Sequence, residues 1–272
     1  FVEKYRDKDA IPAVGSAVVM DVNTGAVLAC ATYPSYDLNT YYQNYEALSK
    51  DKSSPLWNRA LMSTYEPGST MKPAIAAAGL EEGVITETSK FYCSHIYRQF
   101  TDTTFKCLGS HGWIDVKNAL NQSCNIYFYE TGRLLGINRM NDYCTRFGLG
   151  QKTGVEINES SGVLAGIAYR EAHGGTWYPG DTVQAAIGQS DNLFTPIQLC
   201  SYVSTIANGG TRYRAHFVKS VKSSDYSETL LSNDGVVLNE TGVSQNSIRI
   251  VKEGMEMLGA RLPAFKSLPV KV

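Results

Sequence analysis

The chain has 272 residues, 43% hydrophobic and 19% charged, and its 25 Lys and Arg against 26 Asp and Glu leave a formal net charge of −1. That balance describes a globular chain able to bury a large core in one or two domains. Without a basic run it argues against nucleic acid as a partner, and its longest apolar stretch, around Pro73 to Leu80, is far short of the ~20 residues that span a bilayer. The chain opens at Phe1 with no initiator Met and closes on the alternating run Pro269-Val270-Lys271-Val272. Both ends read as cuts, with an anchor or a further strand expected beyond them. Six cysteines are too few for a disulfide scaffold and enough for a metal site or a bridge or two.

In chain order, Val14 to Val22 and Ala26 to Cys30 are apolar runs joined by Asn23-Thr24-Gly25, which predicts a β-hairpin. Tyr33 to Tyr42 reads as loop and Leu48 to Pro55 as a charged, Ser-rich connection. From Ser69 to Glu82 the sequence turns Ala-rich, with Pro73 in the first turn and Gly83 behind it, which predicts a buried helix. Phe91 to Gly112 has no clean period. Asp115 to Gln122 reads as a short helix capped by Asp115, and Ile126 to Leu135 as another, with Ser123-Cys124-Asn125 on the turn between. Phe147 to Gly166 is Gly-punctuated loop, Leu193 to Ala207 a helix, Phe217 to Val221 a strand and Ile248 to Leu258 a helix. Helices inserted between early and late strands predict an α+β fold with an antiparallel sheet.

Ser69-Thr70-Met71-Lys72 sets a hydroxyl and an amine three residues apart at a helix start, on one face and within hydrogen-bonding reach of each other. A serine hydroxyl is a weak nucleophile until a base takes its proton, and lysine serves only if burial or a neighbouring cation lowers its pKa. The spacing alone is common. It recurs at Ser49-Lys50-Asp51-Lys52, where a charged surrounding would keep the amine solvated and protonated.

Context separates the two. Tyr65-Glu66-Pro67-Gly68-Ser69-Thr70-Met71-Lys72-Pro73, preceded by Pro55-Leu56-Trp57-Asn58-Arg59-Ala60, resembles the first active-site box of class B penicillin-binding proteins, the D,D-transpeptidases of bacterial peptidoglycan. Four other segments agree in family order. Ala17 to Ala31 with Tyr33-Pro34-Ser35-Tyr36-Asp37 is similar to the opening hairpin, Ser123-Cys124-Asn125 to the second box, and Phe147 to Glu156 to the Gly-rich loop. Ala186-Ile187-Gly188-Gln189-Ser190, with Thr195 to Leu199 and Ala207 to Gly210, is similar to the family's segment after that loop.

The resemblance implies Ser69 as acyl-forming nucleophile and Lys72 as its base, with Ser123 relaying a proton to the leaving amine and Asn125 binding the substrate amide. It also implies a third box, Lys-Thr-Gly, on a strand beside the nucleophile. Lys152-Thr153-Gly154 has those letters but falls too early, inside the Gly-rich loop, and reads as a loop turn. In the family the box comes after a strand like Leu268 to Val272, where this chain ends. The run from Glu253 to Leu268 is also shorter than the family pattern, which points to a loop missing near Leu258 to Pro263.

Cys93, Cys107, His111 and Cys124 are the best soft-ligand candidates, and three thiolates with one imidazole suit a closed tetrahedral zinc site. Some class B penicillin-binding proteins resemble this, with zinc beside the active site and a ligand from the second box. A Cys93–Cys107 disulfide and plain buried thiols remain as rivals, and His95 or Asp102 could replace a ligand. Cys30, Cys144 and Cys200, among apolar neighbours, read as small core residues.

The resemblance thus implies the penicillin-recognising transpeptidase fold, shared with serine β-lactamases, a central antiparallel sheet flanked by helices, over residues 1–272. It implies acyl transfer on D-Ala-D-Ala stem peptides of peptidoglycan and covalent trapping by β-lactams. It further implies an N-terminal membrane anchor and pedestal domain, work outside the cytoplasmic membrane, and elongation or division partner proteins. A D,D-carboxypeptidase or serine β-lactamase, with water as acceptor, is one alternative. A noncatalytic penicillin-recognising sensor or scaffold is another. A Ser-His-Asp hydrolase is disfavoured, because Gly188-Gln189-Ser190-Asp191-Asn192 lacks the closing Gly of a nucleophile elbow.

Overall fold

The computed structural model describes residues 14–266, so the expected strand Leu268 to Val272 lies outside the described residues. Strands β1 (Gly15–Met20) and β2 (Val27–Tyr33) form the expected hairpin, closed by Asp21 N donating to Ala26 O at 2.9 Å. Gly25 supplies the turn's positive φ of 77°. The next segment departs from expectation. Where the sequence reads as loop and charged connection, helix α1 (Tyr41–Lys50) forms after a 3-10 turn. It buries none of its residues and is laced instead by Tyr41 against Tyr36 and Tyr45 at ring distances of 5.4 and 5.6 Å. Polar, Tyr-rich helices that bury nothing leave no apolar stripe to read.

After the short α2 (Arg59–Met62), a 3-10 turn at Gly68–Met71 leads into α3 (Lys72–Glu81), buried from Lys72 to Gly79. Alanine and glycine let neighbouring helices close on it: a Cβ at Gly79 would lie 2.8 Å from Thr131 Cγ2. Residues 91–114, which show no period, form two small antiparallel ladders. In one, β3 (Phe91–Cys93) pairs with β6 (Gly112–Ile114); in the other, β4 (Ile96–Tyr97) pairs with β5 (Phe105–Lys106). Helix α4 (Val116–Asn121) comes next, capped by Asp115 accepting from Asn118 N at 2.9 Å, and then α5 (Asn125–Leu135).

Helix α6 (Ile137–Arg146) buries Ile137, Met140, Tyr143 and Cys144, and α7 (Ile167–Ala172) and α8 (Pro179–Ala185) lie beyond the Gly-punctuated loop. Helix α9 (Pro196–Ala207) begins three residues later than its periodicity, because a Thr195/Gln198 capping box fixes its start and Leu193 and Phe194 are drawn into bridges to Val163 and Tyr65. The strand expected at Phe217 to Val221 is shifted: β7 (Thr211–Tyr213) precedes it, and β8 (Ser220–Lys222) pairs with β9 (Thr229–Ser232). Phe217 N and Val218 N instead donate to the Glu156 carboxylate at 2.9 and 3.3 Å.

Strand β10 (Val237–Glu240) pairs with β7, and the chain then runs as α10 (Gln245–Arg261) and α11 (Pro263–Lys266). Leu258 to Pro263 comprises the end of α10, the cap at Leu262 and the start of α11. All ladders among the described residues are antiparallel and two strands wide. The main core gathers around α3, with α5 and α10 against it, and a second cluster of Leu61, Val155, Ile197 and Ala215 underlies the β1–β2 hairpin. The result is α+β, with α3 and the turn before it at the junction.

Candidate active site

Ser69 lies on the 3-10 turn that feeds α3, exposed, while Lys72 one turn later is 1% exposed. Three devices hold this turn. Gly68, at φ 54°, donates its N–H to Gly188 O at 2.9 Å, and a Cβ at Gly188 would collide with the Gly68 backbone. Tyr65 and Phe194 exchange two backbone hydrogen bonds of 2.9 Å each. Buried Tyr202 on α9 places its hydroxyl between Ala74 N, which donates to it at 3.0 Å, and Thr70 O, which accepts from it at 3.2 Å. With Pro73 lacking an N–H, Tyr202 satisfies the next orphan donor of the helix start.

The Lys72 ammonium donates to Ser123 O at 2.8 Å, Ser123 Oγ at 3.0 Å and Asn125 Oδ1 at 2.7 Å. Ser123 Oγ in turn donates to Ser69 Oγ at 3.0 Å. All four sequence candidates therefore meet, with one difference. The spacing suggests a direct Ser69–Lys72 contact, whereas the hydrogen bonds run from lysine to Ser69 through Ser123. Burial lowers the Lys72 pKa to about 8, with the Cys107 and Cys124 sulfurs opposing that shift. Asn125 Nδ2 donates to Lys106 O at 3.1 Å, which leaves one amide hydrogen of that side chain for a ligand.

Ser123 owes its position to a helix ending. Cys124 N donates to Ala119 O at 2.9 Å and Ser123 N to Leu120 O at 3.1 Å, a Schellman motif that closes α4. Its left-handed position, where glycine is usual, is Ser123 itself at φ 51°. This strain turns the hydroxyl toward Lys72 and Ser69. A cavity of about 540 Å³ opens onto the group, lined by Ser69, Lys72 and Ser123 together with Leu120 on α4 and Met255 and Leu258 on α10. The α10 wall is not legible in the sequence as part of a site, because its residues read only as an amphipathic helix.

Behind Ser123 the ligand atoms of Cys93, Cys107, His111 and Cys124 all lie within 4.8 Å of one another. Both Cys93 Sγ and Cys107 Sγ face His111 Nδ1, at 3.4 and 3.6 Å, and Cys107 Sγ lies 4.0 Å from Cys124 Sγ. The hydrogen bond shared between the two sulfurs holds Cys107 well below and Cys124 above the usual thiol range. Asn125 N adds a 3.2 Å bond to Cys107 Sγ. The disulfide alternative is not formed, all six cysteines are free, and His95 and Asp102 stand outside the cluster. Of the cysteines expected in the core, Cys144 is buried and Cys30 and Cys200 are half-buried.

The other Ser-x-x-Lys pair straddles the end of α1: Ser49 donates its hydroxyl to Glu46 O at 2.9 Å, and Lys52 lies exposed in the turn that follows. Lys152-Thr153-Gly154 is held by buried Glu159, which accepts from Thr153 N at 3.0 Å, Thr153 Oγ1 at 2.8 Å and Gly154 N at 2.8 Å. The threonine hydroxyl and both amides are thus occupied within that loop.

Residues 15–260 match the family model described as the penicillin binding protein transpeptidase domain. The chain belongs to this family. It is 34% identical over 221 residues to the peptidoglycan D,D-transpeptidase MrdA of Salmonella typhimurium, an alignment covering 76% of this chain and 35% of that protein. The crystal structure of Pseudomonas aeruginosa PBP2 in complex with WCK 5153 superposes with a TM-score of 0.80 at 31% identity, covering 91% of this chain and 57% of that one. Helicobacter pylori PBP2, solved in complex with MreC, gives a TM-score of 0.78 at 26% identity over 89% of this chain and 45% of that one. The chain spans about a third of the length of the curated relative.

Proposed function

We propose that this is the transpeptidase domain of a class B penicillin-binding protein and that it cross-links peptidoglycan stems by serine acyl transfer. The observation that carries the reading is the hydrogen-bonded series Lys72–Ser123–Ser69 at 3.0 Å per step, with a buried amine at one end and an exposed hydroxyl at the other. Neutral Lys72 takes a proton from Ser123, which takes the Ser69 proton as Ser69 Oγ attacks the penultimate D-Ala carbonyl. The tetrahedral intermediate collapses with loss of the C–N bond, and Ser123 returns the proton to the departing D-Ala amine. An amine of a second stem then attacks the Ser69 ester, forms the new amide and frees the serine. Asn125 holds the donor stem through its remaining amide hydrogen. β-Lactams, as strained amides, would acylate Ser69 by the same first half.

The reading extends to zinc held by Cys93, Cys107, His111 and Cys124. Bonds of about 2.0–2.3 Å at tetrahedral angles put neighbouring ligand atoms about 3.5–3.8 Å apart; the observed contacts of 3.4, 3.6 and 4.0 Å lie near that range, and the whole set lies within 4.8 Å. The ion would be structural, supplying cohesion without a substrate position. Cys124 lies between Ser123 and Asn125, so its fixation sets both neighbours.

Among the described residues no helix is long and apolar enough to cross a membrane. The proposal places the domain outside the cytoplasmic membrane of a bacterium, tied to it by a segment before residue 1 and completed by a Lys-Thr-Gly strand after residue 272. Elongation or division proteins would be its partners, a reading supported by the Helicobacter pylori complex.

The experiment supplies a purified donor stem with and without an acceptor amine and tracks D-Ala release and product mass. Cross-linked product that needs the acceptor supports transpeptidation. D-Ala release by water alone turns the reading to a carboxypeptidase, and a single acylation without turnover turns it to a sensor.

A further inference from the structure

We infer that Tyr92, Trp113, Asn118 and Gln122 form a saccharide subsite, which holds an N-acetylated pyranose ring of the glycan strand while a stem peptide occupies the Ser69 site. The inference rests on the transpeptidase reading above and adds a second contact surface to it. Tyr92 and Trp113 stand directly opposite each other in the β3–β6 ladder, with ring centroids 5.5 Å apart at 59°. They are 58% and 69% exposed. Folding leaves both rings in water, and among the described residues neither the Trp113 indole N–H nor the Tyr92 hydroxyl has a partner in the protein. The platform beneath them is fixed, because their chain neighbours Cys93 and Ile114 are buried and His111 N donates to Cys93 O at 3.1 Å.

Beside Trp113 lies an open depression of about 510 Å³, lined by His111, Trp113, Ile114, Asn118 and Gln122, with no carboxylate, ammonium or guanidinium among them. That volume is within the ~300–1,000 Å³ of small-molecule sites. Asn118 and Gln122 are four residues apart on α4 and its cap, on one face, and both are exposed or half-exposed. Asn118 Nδ2 is taken by Asp115 at 3.0 Å, which leaves its carbonyl oxygen, and the Gln122 amide is unengaged among the described residues. On this flank the Trp113 face beside free amides and no charge suits a ligand with an apolar C–H face, hydroxyls and an acetamido group, whereas the depression that Tyr92 and Trp113 line together carries Lys90, Arg98 and Glu130. A carboxylate or phosphate ligand would call for the Arg or Lys that the depression beside Asn118 and Gln122 lacks.

The location fits the same substrate. Gln122 immediately precedes Ser123, and Asn118 lies about one helical turn, ~5 Å, farther from the nucleophile. An extended stem of five residues reaches about 17 Å, long enough for the sugar that bears it to meet Asn118 and Gln122 when its end is at Ser69.

The test is ligand-observed saturation-transfer NMR with chitotetraose, an uncharged N-acetylglucosamine tetramer carrying no peptide. It is run on the wild type, Trp113→Ala and Trp113→Tyr, and penicillin acylation is measured on the same samples. The inference predicts saturable binding by the wild type, weakened at least about tenfold in Trp113→Ala and kept within about threefold in Trp113→Tyr. Acylation should stay within about twofold throughout. No saturable binding to a wild type that acylates normally overturns it, as does binding unchanged in Trp113→Ala. Loss of acylation in Trp113→Ala also overturns it, since the patch would then serve the peptide site or the fold. Concentration-dependent self-association abolished by Trp113→Ala, without sugar binding, would assign the pair to a protein contact. A wild type carrying the Lys-Thr-Gly strand that binds the sugar but never acylates would leave the subsite standing and sink the transpeptidase reading.

Discussion

Lys72 is a buried ammonium with three oxygen acceptors and, among the described residues, no carboxylate partner. Oxygen dipoles and the nearby Cys107 and Cys124 sulfurs favour its charge, and burial outweighs them to bring its pKa to about 8. Only the neutral amine can receive the proton that Ser69 gives up through Ser123. Acylation by a β-lactam should therefore rise about tenfold per pH unit below 8 and level off above it, as measured by second-order rate against pH. A profile flat from pH 6 to 9 would contradict the role. Ser123 carries a different conflict, since its φ of 51° is a glycine conformation at the end of α4. Ser123→Gly should stabilise the fold by about 0.5–1 kcal/mol in denaturant melts while lowering acylation at least about tenfold. Nothing in the Ser-Cys-Asn letters signals this strain. The four candidate residues are legible because motif spacing survives folding; the relay order is not, because it depends on a side chain arriving from 51 residues away.

At the scale of elements, the turn at Gly68–Met71 is set from outside by α9. Tyr202→Phe removes the hydroxyl that accepts from Ala74 N and donates to Thr70 O, taking its partner from the buried Ala74 N and from the part-buried Thr70 O. The expected cost is about 1–3 kcal/mol of stability by thermal or denaturant unfolding, together with slower acylation of Ser69. An unchanged melting curve would mean that another donor or water replaces the phenol. Elements with an apolar period or a cap, such as α3, α4 with Asp115, and the β1–β2 hairpin, can be read directly. Helix α6 carries such a period at Ile137, Met140, Tyr143 and Cys144, yet the sequence reading passes over it. Helix α1 has no buried face to announce it, and α7 and α8 are six and seven residues long inside a Gly-rich stretch. Ladders β3–β6 and β4–β5 are three and two residues per strand, too short for an alternation to emerge.

Across the whole molecule, a small irregular lobe of residues 91–114 packs on the helical core through Phe91, Tyr97 and Phe105 against Tyr127 and Tyr129, and Cys124 adds a sulfur that faces the lobe while its backbone starts α5. If a metal ion holds the four ligands, removing it with a chelator should lower the melting temperature and slow acylation of Ser69 together. Unchanged acylation by a protein shown to be metal-free would uncouple the cluster from the site. The α+β class is legible from the order of helices and strands, whereas the side-by-side placement of ligand cluster and Ser123 depends on packing between β6, α4 and α5.

The central claim is that Ser69 is an activated nucleophile. Its most direct measurement is a denatured-protein mass spectrum with and without penicillin, then peptide mapping, for the wild type and Ser69→Ala. A mass gain of one drug molecule located at Ser69 and absent from Ser69→Ala is the predicted result. A gain retained in Ser69→Ala, or no gain in a protein that also carries the Lys-Thr-Gly strand, would contradict it.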